Sequence, residues 1–397
     1  MRLHPLAAAC LAVLLCAALT SCSGPEEDAD DAVETPVGAA VDPDQEEADE
    51  SGPPSEPPEE EWPFGAPVGW ADQPMAVADP SASPDSEDGE EGEEGEEGEV
   101  DPGQEEADAD GGTGAEAGDG SEEDAPKKRN EHPGVTGGGE GETVTATDAD
   151  ELAEHLAAEE PLVVEVEGAI DLDGTVRVAS DKTLHGVGEG AELTGGDLVV
   201  DGSDNVILAN LDMVSDGPAI AVRGGAHHVW VDGSTFSGGK DGALVSVTDG
   251  ADHVTLSWNH FTDAESAVGI GGREDESGAL RVTVHHNFFD GTSGQHPLAR
   301  NAEHVHVFNN YFRANPEYGI QSAHDSNVLV EGNYFESTPV SVSTEDGEPG
   351  NVVTRDNLLV DSDQPELRGS VPDPPYAYEL DDTVSVPDVV MNGAGAN

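Results

Sequence analysis

Few side chains in this sequence could do chemistry, and spacing alone dismisses several of them. All three cysteines (Cys10, Cys16, Cys22) lie in the first 22 residues. The rest of the chain can therefore build no disulfide framework, zinc–thiolate site or iron–sulfur site. The doublets His227-His228 and His285-His286 suggest metal ligands. Adjacent strand residues point to opposite faces, so each doublet is expected to pack in a wall rather than chelate. Gly137-Gly138-Gly139 lacks the GxGxxG spacing of a phosphate cradle and reads as a turn. Glycan hydrolysis needs paired inward carboxylates, and no strong Asp-Asp arrangement on one face supplies them. What dominates is charge: 86 Asp+Glu against 14 Lys+Arg, a formal −72. Such a surface repels nucleic-acid phosphates and anionic leaflets, so no nucleic acid is expected as a partner. It could hold a polyanion only through cation bridges.

The elements that must position any site fall in three pieces. Residues 1–22 carry Arg2 and an uncharged apolar run from Leu6 to Leu19. That run is too short to span a membrane and reads as a secretory signal. Leu19-Thr20-Ser21-Cys22 resembles a lipobox, with Cys22 as the lipidated first mature residue. A secreted protein, lipid-anchored at the outer face of the cell membrane, is the resulting expectation. Residues 23–133 hold 39 acidic and three basic residues, including the near-repeat from Gly89 to Gly98. This segment cannot bury enough apolar area to offset chain entropy and is expected to be a disordered acidic tether or insertion. Its island, Trp62-Pro63-Phe64-Gly65-Ala66-Pro67-Val68-Gly69-Trp70-Ala71, is expected to dock on the folded part, over residues 62–72.

Residues 134–397 are acidic too, with 47 acids against ten bases. Short β-branched runs begin at Val206, Val229, Val254, Val282, Val305, Val328 and Val352, at offsets of 23, 25, 28, 23, 23 and 24. Most alternate apolar residues with period two, as strands do. An Asn follows most of them (Asn210, Asn259, Asn287, Asn310, Asn333, Asn357), with Ser234 in the second coil. Two residues further come Phe236, Phe261, Phe289, Phe312, Phe335 and Leu359, while the first coil carries Asp212. One repeat with one phase predicts an all-β fold, a right-handed parallel β-helix whose coils bury nothing singly and a continuous cylinder when stacked. Asn259, Asn287, Asn310 and Asn333 are expected to form an internal amide ladder, and the phenylalanines a ring stack. A short helix opened by Asp148, with Leu152 and Leu156 on one face, is expected to cap the open end.

Val135-Thr136-Gly137-Gly138-Gly139, Val229-Trp230-Val231-Asp232, Val254-Thr255-Leu256-Ser257-Trp258-Asn259, Val282 to Phe289 and Val305 to Phe312 together resemble the pectate lyases. Tyr318-Gly319-Ile320, Val328 to Phe335 and the closing Tyr378-Glu379-Leu380 to Gly395 extend the likeness to the C-terminus. The resemblance implies a monomer that cleaves polygalacturonate, or a related acidic polysaccharide, by β-elimination. Calcium would bridge protein carboxylates and the substrate, and an Arg would take the C5 proton, aided by a Lys and a second Arg. Transferred residue by residue, the family's Arg-x-Pro-x-x-Arg is Gln295-His296-Pro297-Leu298-Ala299-Arg300, so the second Arg is Arg300 and the proton-abstracting one is Gln295. The Lys falls at Ser266. Of the calcium carboxylates Asp216 matches, Pro218 replaces the next, and Gly242 and Ser246 replace a pair, with Asp241 one residue out of register. The His usually following Trp-Val-Asp is Gly233, although Asp232 remains. An amide is barely basic, so His296 or Arg273 would have to substitute for Gln295 from beside the groove. The alternative is a catalytically impaired β-helix that binds acidic glycans at the cell surface.

Overall fold

A computed structural model describes residues 67–74, 134–139, 141–276, 278–345 and 347–397. Residues 1–22 with the expected signal and Cys22, most of the acidic segment and residues 62–66 of the aromatic island lie outside them. Every ladder between named strands is parallel, and the valines that mark the repeat lie side by side. Val206 pairs with Val229, and then Val254, Val282, Val305, Val328 and Val352 follow in register. The chain winds into a parallel β-helix of about nine turns, as the repeat predicts. Eight strands, from Thr175–Arg177 to Val342–Thr344, stack in chain order as one face of the coil.

Side chains at one phase of the repeat meet their own copies inside. Phe236, Phe261, Phe289, Phe312 and Phe335 are fully buried, with successive ring centroids 5.2, 5.1, 4.9 and 4.4 Å apart. Burial of each ring contributes about 1.5–3 kcal/mol. The amide ladder lies beside them. The Oδ1 of Asn287 accepts from the backbone N–H and the side chain of Asn259, both at 3.0 Å, and Asn310, Asn333 and Asn357 repeat the motif upward. Each amide also donates to a carbonyl of a neighbouring coil, such as Val231 or Leu256, which satisfies backbone groups left open where the strands bend.

In the first coil the ladder slot belongs to Leu211, not Asn210. Leu211 gives its N–H to Ser234 Oγ, whereas Asn210 sits one residue earlier with φ 53° and reaches out to Gly186 O and the C-terminal Asn397. The ring slot is therefore Met213, paired with Phe236, and Asp212 faces the other way. The rule holds in that coil with an aliphatic substitute.

The helix Ala149–Ala157 (α1) forms where expected. Asp148 caps it by accepting from the Glu151 N–H, and Leu152 and Leu156 are buried against the first coils. A second helix, Val386–Gly393 (α2), has no counterpart in the sequence reading. It buries Val386 and Val390 against Phe288 and Tyr311 on the outside of the stack. Residues 70–72 of the island are docked, as a short 3-10 turn. Trp70 and Ala71 give their N–H groups to Thr283 Oγ1 and Thr255 Oγ1, at 3.0 and 3.1 Å. Gly69, with φ 133°, passes so close that a Cβ there would lie 2.6 Å from Thr283 Oγ1.

Candidate active site

The strands of the eight-stranded face turn Leu198, Ile220, Val245, Val268 and Ile320 into the core. Alternation then turns the residues between them outward, and register aligns them into a row through Ala221, Ser246, Gly269, Leu298 and Gln321. This floor is small and uncharged. Its two borders carry Asp216, Asp241 and Gln295 on one side and Arg300 on the other.

On the entry border, Asp216 and Asp241 lie on adjacent coils, where the N–H groups of Lys240 and Asp241 both bond the Asp216 carbonyl at 3.0 Å. The Asp216 carboxylate is 85% exposed and already paired with Lys240 Nζ at 3.1 Å. Ser266 and Gln295 follow on later coils; Ser266 bridges to Gly294. Gln295 has φ 61°, and its amide oxygen lies 3.5 Å from where a Cβ on Gly269 would be, against the floor. The amide makes no hydrogen bond to any described residue.

His296 does not face the groove. It is fully buried, its Nδ1 donates to the Tyr318 and Gly319 carbonyls at 2.9 Å, and its Nε2 accepts from Thr292 Oγ1 at 2.7 Å. Burial pushes its pKa down to about 4. It is a neutral bracket holding the turn before the strand Leu298–Arg300, which corrects the expectation of a base beside the groove.

On the exit border the structure assembles a group that the sequence reading found only in part. Arg300 Nε faces Glu345 Oε2 at 3.5 Å, a contact in which neither buried atom completes a hydrogen bond. Arg273 donates from Nη2 to Glu345 Oε1 at 2.8 Å and also touches Glu348. His324 Nε2 lies 3.1 Å from both Arg273 Nη1 and Glu348. Burial alone would raise the Glu345 carboxyl, but Arg300 and Arg273 beside it hold it below the usual carboxylate range. Arg273, Arg300, His324 and Glu345 come from successive coils, so no local motif joins them; only the counter-ion that a half-buried Arg300 requires could have announced Glu345.

The residues do not fit a preformed calcium site. Among the described residues no three His, Cys, Asp or Glu side chains converge to hold a metal. Asp216 is neutralised by Lys240, and the floor positions Ala221, Ser246 and Gly269 offer no carboxylate. Calcium prefers six to eight oxygen ligands. The doublet argument is also corrected. His228 and His286 adopt φ of 52° and 54°, which breaks strand alternation and brings the rings of each pair together, Nδ1 to Nδ1 at 2.9 and 2.8 Å.

The family model for pectate lyase matches residues 127–395. A pectate trisaccharide-lyase from Bacillus licheniformis is 31% identical over 290 residues, covering 66% of this chain and 83% of its own length. Its counterpart from Thermotoga maritima is 32% identical over 313 residues, covering 66% and 84%. The crystal structure of a pectate lyase from Bacillus sp. N165, solved in complex with trigalacturonate, superposes with a TM-score of 0.61 at 25% identity, covering 66% of this chain and 96% of that one. The coil, the ordered motifs and these relatives agree: the chain belongs to the pectate lyase family and is a pectate lyase-type polysaccharide lyase.

Proposed function

We propose that the chain cleaves polygalacturonate, or a related uronate polymer, by β-elimination on the outer face of the eight-stranded sheet. A base removes the proton on C5, that electron pair becomes the C4–C5 double bond, and the C4–O bond breaks with its pair on the departing glycosidic oxygen, which takes a proton from water. The observation that carries this reading is Arg300 Nε, turned to that face and left without a completed hydrogen bond beside Glu345. Arg300 and Arg273 supply the cationic pair that binds and orients a substrate carboxylate. Gln295, opposite them across the floor, cannot take the proton, and Arg273 is engaged in ion pairs with Glu345 and Glu348. Turnover is therefore limited at the proton acceptor. Any calcium would be assembled with the polymer, through Asp216 and Asp241, rather than held beforehand. We propose further that Cys22 anchors the secreted, monomeric protein to the membrane by a lipid.

The test follows the ultraviolet absorbance of the 4,5-unsaturated uronide released by the full chain, with and without added calcium. Gln295→Arg restores a base at the abstraction position and is expected to raise kcat at least about tenfold, while Arg300→Ala abolishes turnover. No product from the wild-type chain or from Gln295→Arg, with polygalacturonate still bound, would replace this reading by the second one. In that case the protein is a β-helix that binds acidic glycans without cutting them, a reading favoured by the same Gln295.

A further inference from the structure

A second cavity, of about 550 Å³, lies away from the eight-stranded face and takes none of its lining from that face. Coil strands supply Asp232, Ser257 and His285, and the C-terminal segment closes it with Tyr378, Glu379 and Asp381. Asp232 is 6% exposed. Its Oδ1 accepts from the Ser257 hydroxyl, which in turn accepts from the Trp230 indole N–H at 2.8 Å. Its other oxygen has no partner among the described residues and belongs to the cavity wall. No Lys or Arg lines the cavity. His286 touches Asp381 at 3.3 Å, but burial lowers the pKa of both His285 and His286, which keeps them neutral at pH 7.

A buried carboxylate with no cation beside it is costly and is relieved only by a proton or by a cationic ligand. Three acids without a cation repel a uronate. The absence of any converging set of three metal ligands among the described residues argues against a bare metal ion. The volume is that of a small-molecule site, lined mainly by rings, with a few polar groups converging. We propose that this cavity binds a small organic ammonium ion, with its charge on Asp232 and its alkyl groups against Tyr378 and Trp258. Aromatic walls and a carboxylate together are what such a cation requires.

Calorimetric titration of the full chain with tetramethylammonium chloride, against sodium chloride of equal ionic strength, tests this. Neopentyl alcohol serves as the uncharged isostere and galactose as a neutral sugar. Saturable binding of tetramethylammonium alone is expected. Because burial pushes the Asp232 carboxyl up to about 7, that affinity is expected to rise about tenfold between pH 6 and pH 8, with proton release. Asp232→Asn should remove both the binding and its pH dependence, and Tyr378→Leu should weaken binding while Asp232 still titrates. Equal binding of neopentyl alcohol or galactose, an affinity flat from pH 6 to 8, or no tenfold loss in a folded Asp232→Asn chain overturns the proposal. So does the absence of tetramethylammonium binding to the wild-type protein. Cleavage of polygalacturonate plays no part in the readout.

Discussion

Asp232 also makes a prediction about folding whose sign is opposite to that of an ion-paired acid. An unfolded Asp titrates near 3.9, while burial holds the folded group near 7, against a smaller opposing effect of the Ser257 hydrogen bond. Between those values the native state keeps a proton that the unfolded chain has released. Stability then falls as pH rises, from about pH 4 to about pH 7, and is flat above. Three pKa units at 1.36 kcal/mol each amount to about 4 kcal/mol. The 6% exposure of Asp232 leaves little solvent screening to discount. The buried histidines work the other way. His296, pushed down to about 4, makes the wild type gain stability as pH rises toward 6.5. A comparison that cancels them is needed. Asp232→Asn keeps the acceptor for Ser257 and cannot ionise. Guanidinium unfolding of both chains by circular dichroism should show them about equal at pH 4, and the variant more stable by up to about 4 kcal/mol at pH 8. A difference that stays within about 1 kcal/mol across that range would show that the Asp232 carboxyl is ordinary, and the argument for a cation site would lose its electrostatic basis.

The amide ladder predicts a gradient. Asn310→Ala removes the acceptor for two donors of Asn287 and leaves the Val284 carbonyl unmet in a fully buried slot, costing about 3 kcal/mol or more, whereas Asn357→Ala at the partly exposed end costs about 1. Equal costs in denaturant unfolding would contradict the ladder. Phe312→Ala, between two stacked rings, should cost about 3–5 kcal/mol, and Leu359→Ala at the last coil clearly less. Thr283→Val strips the partner of both the Trp70 N–H and the Tyr376 hydroxyl, so hydrogen-exchange protection at Trp70 should fall about tenfold while that of the Phe stack holds.

The coil was legible because its signals are periodic and redundant. A misplaced valine in one turn is outvoted by six others, and the register Val206 to Val352 follows the offsets. Legibility failed wherever one residue decides. Asn210 follows its strand much as the ladder residues follow theirs, yet in a parallel stack the slot is fixed by the partner coil, and Leu211 holds it by meeting Ser234 Oγ. α2 is not legible because only Val386 and Val390 of its apolar residues are buried, and what holds it is the outside of another element.

The site was half legible for a related reason. Residues transferred by motif mark positions in sequence, whereas chemistry depends on which way each side chain turns. At the bends of the coil, φ goes positive and alternation stops predicting direction. His228 and His286 turn there to meet their neighbours, and Gln295 turns onto the groove floor. His296, one residue later, goes inward to the carbonyls of the next coil. The reading that neighbouring strand residues face apart therefore holds along the strand Leu298–Arg300 and fails for the doublets, where His227-His228 opens one strand and His285-His286 closes another. A solenoid places its reactive groups at such ends because the strand interiors are committed to the core. Function in this chain thus sits where the repeat is least regular. The cluster of Arg273, Arg300, His324 and Glu345 fits that rule: Arg300 ends its strand, and the other three lie in the turns beyond theirs.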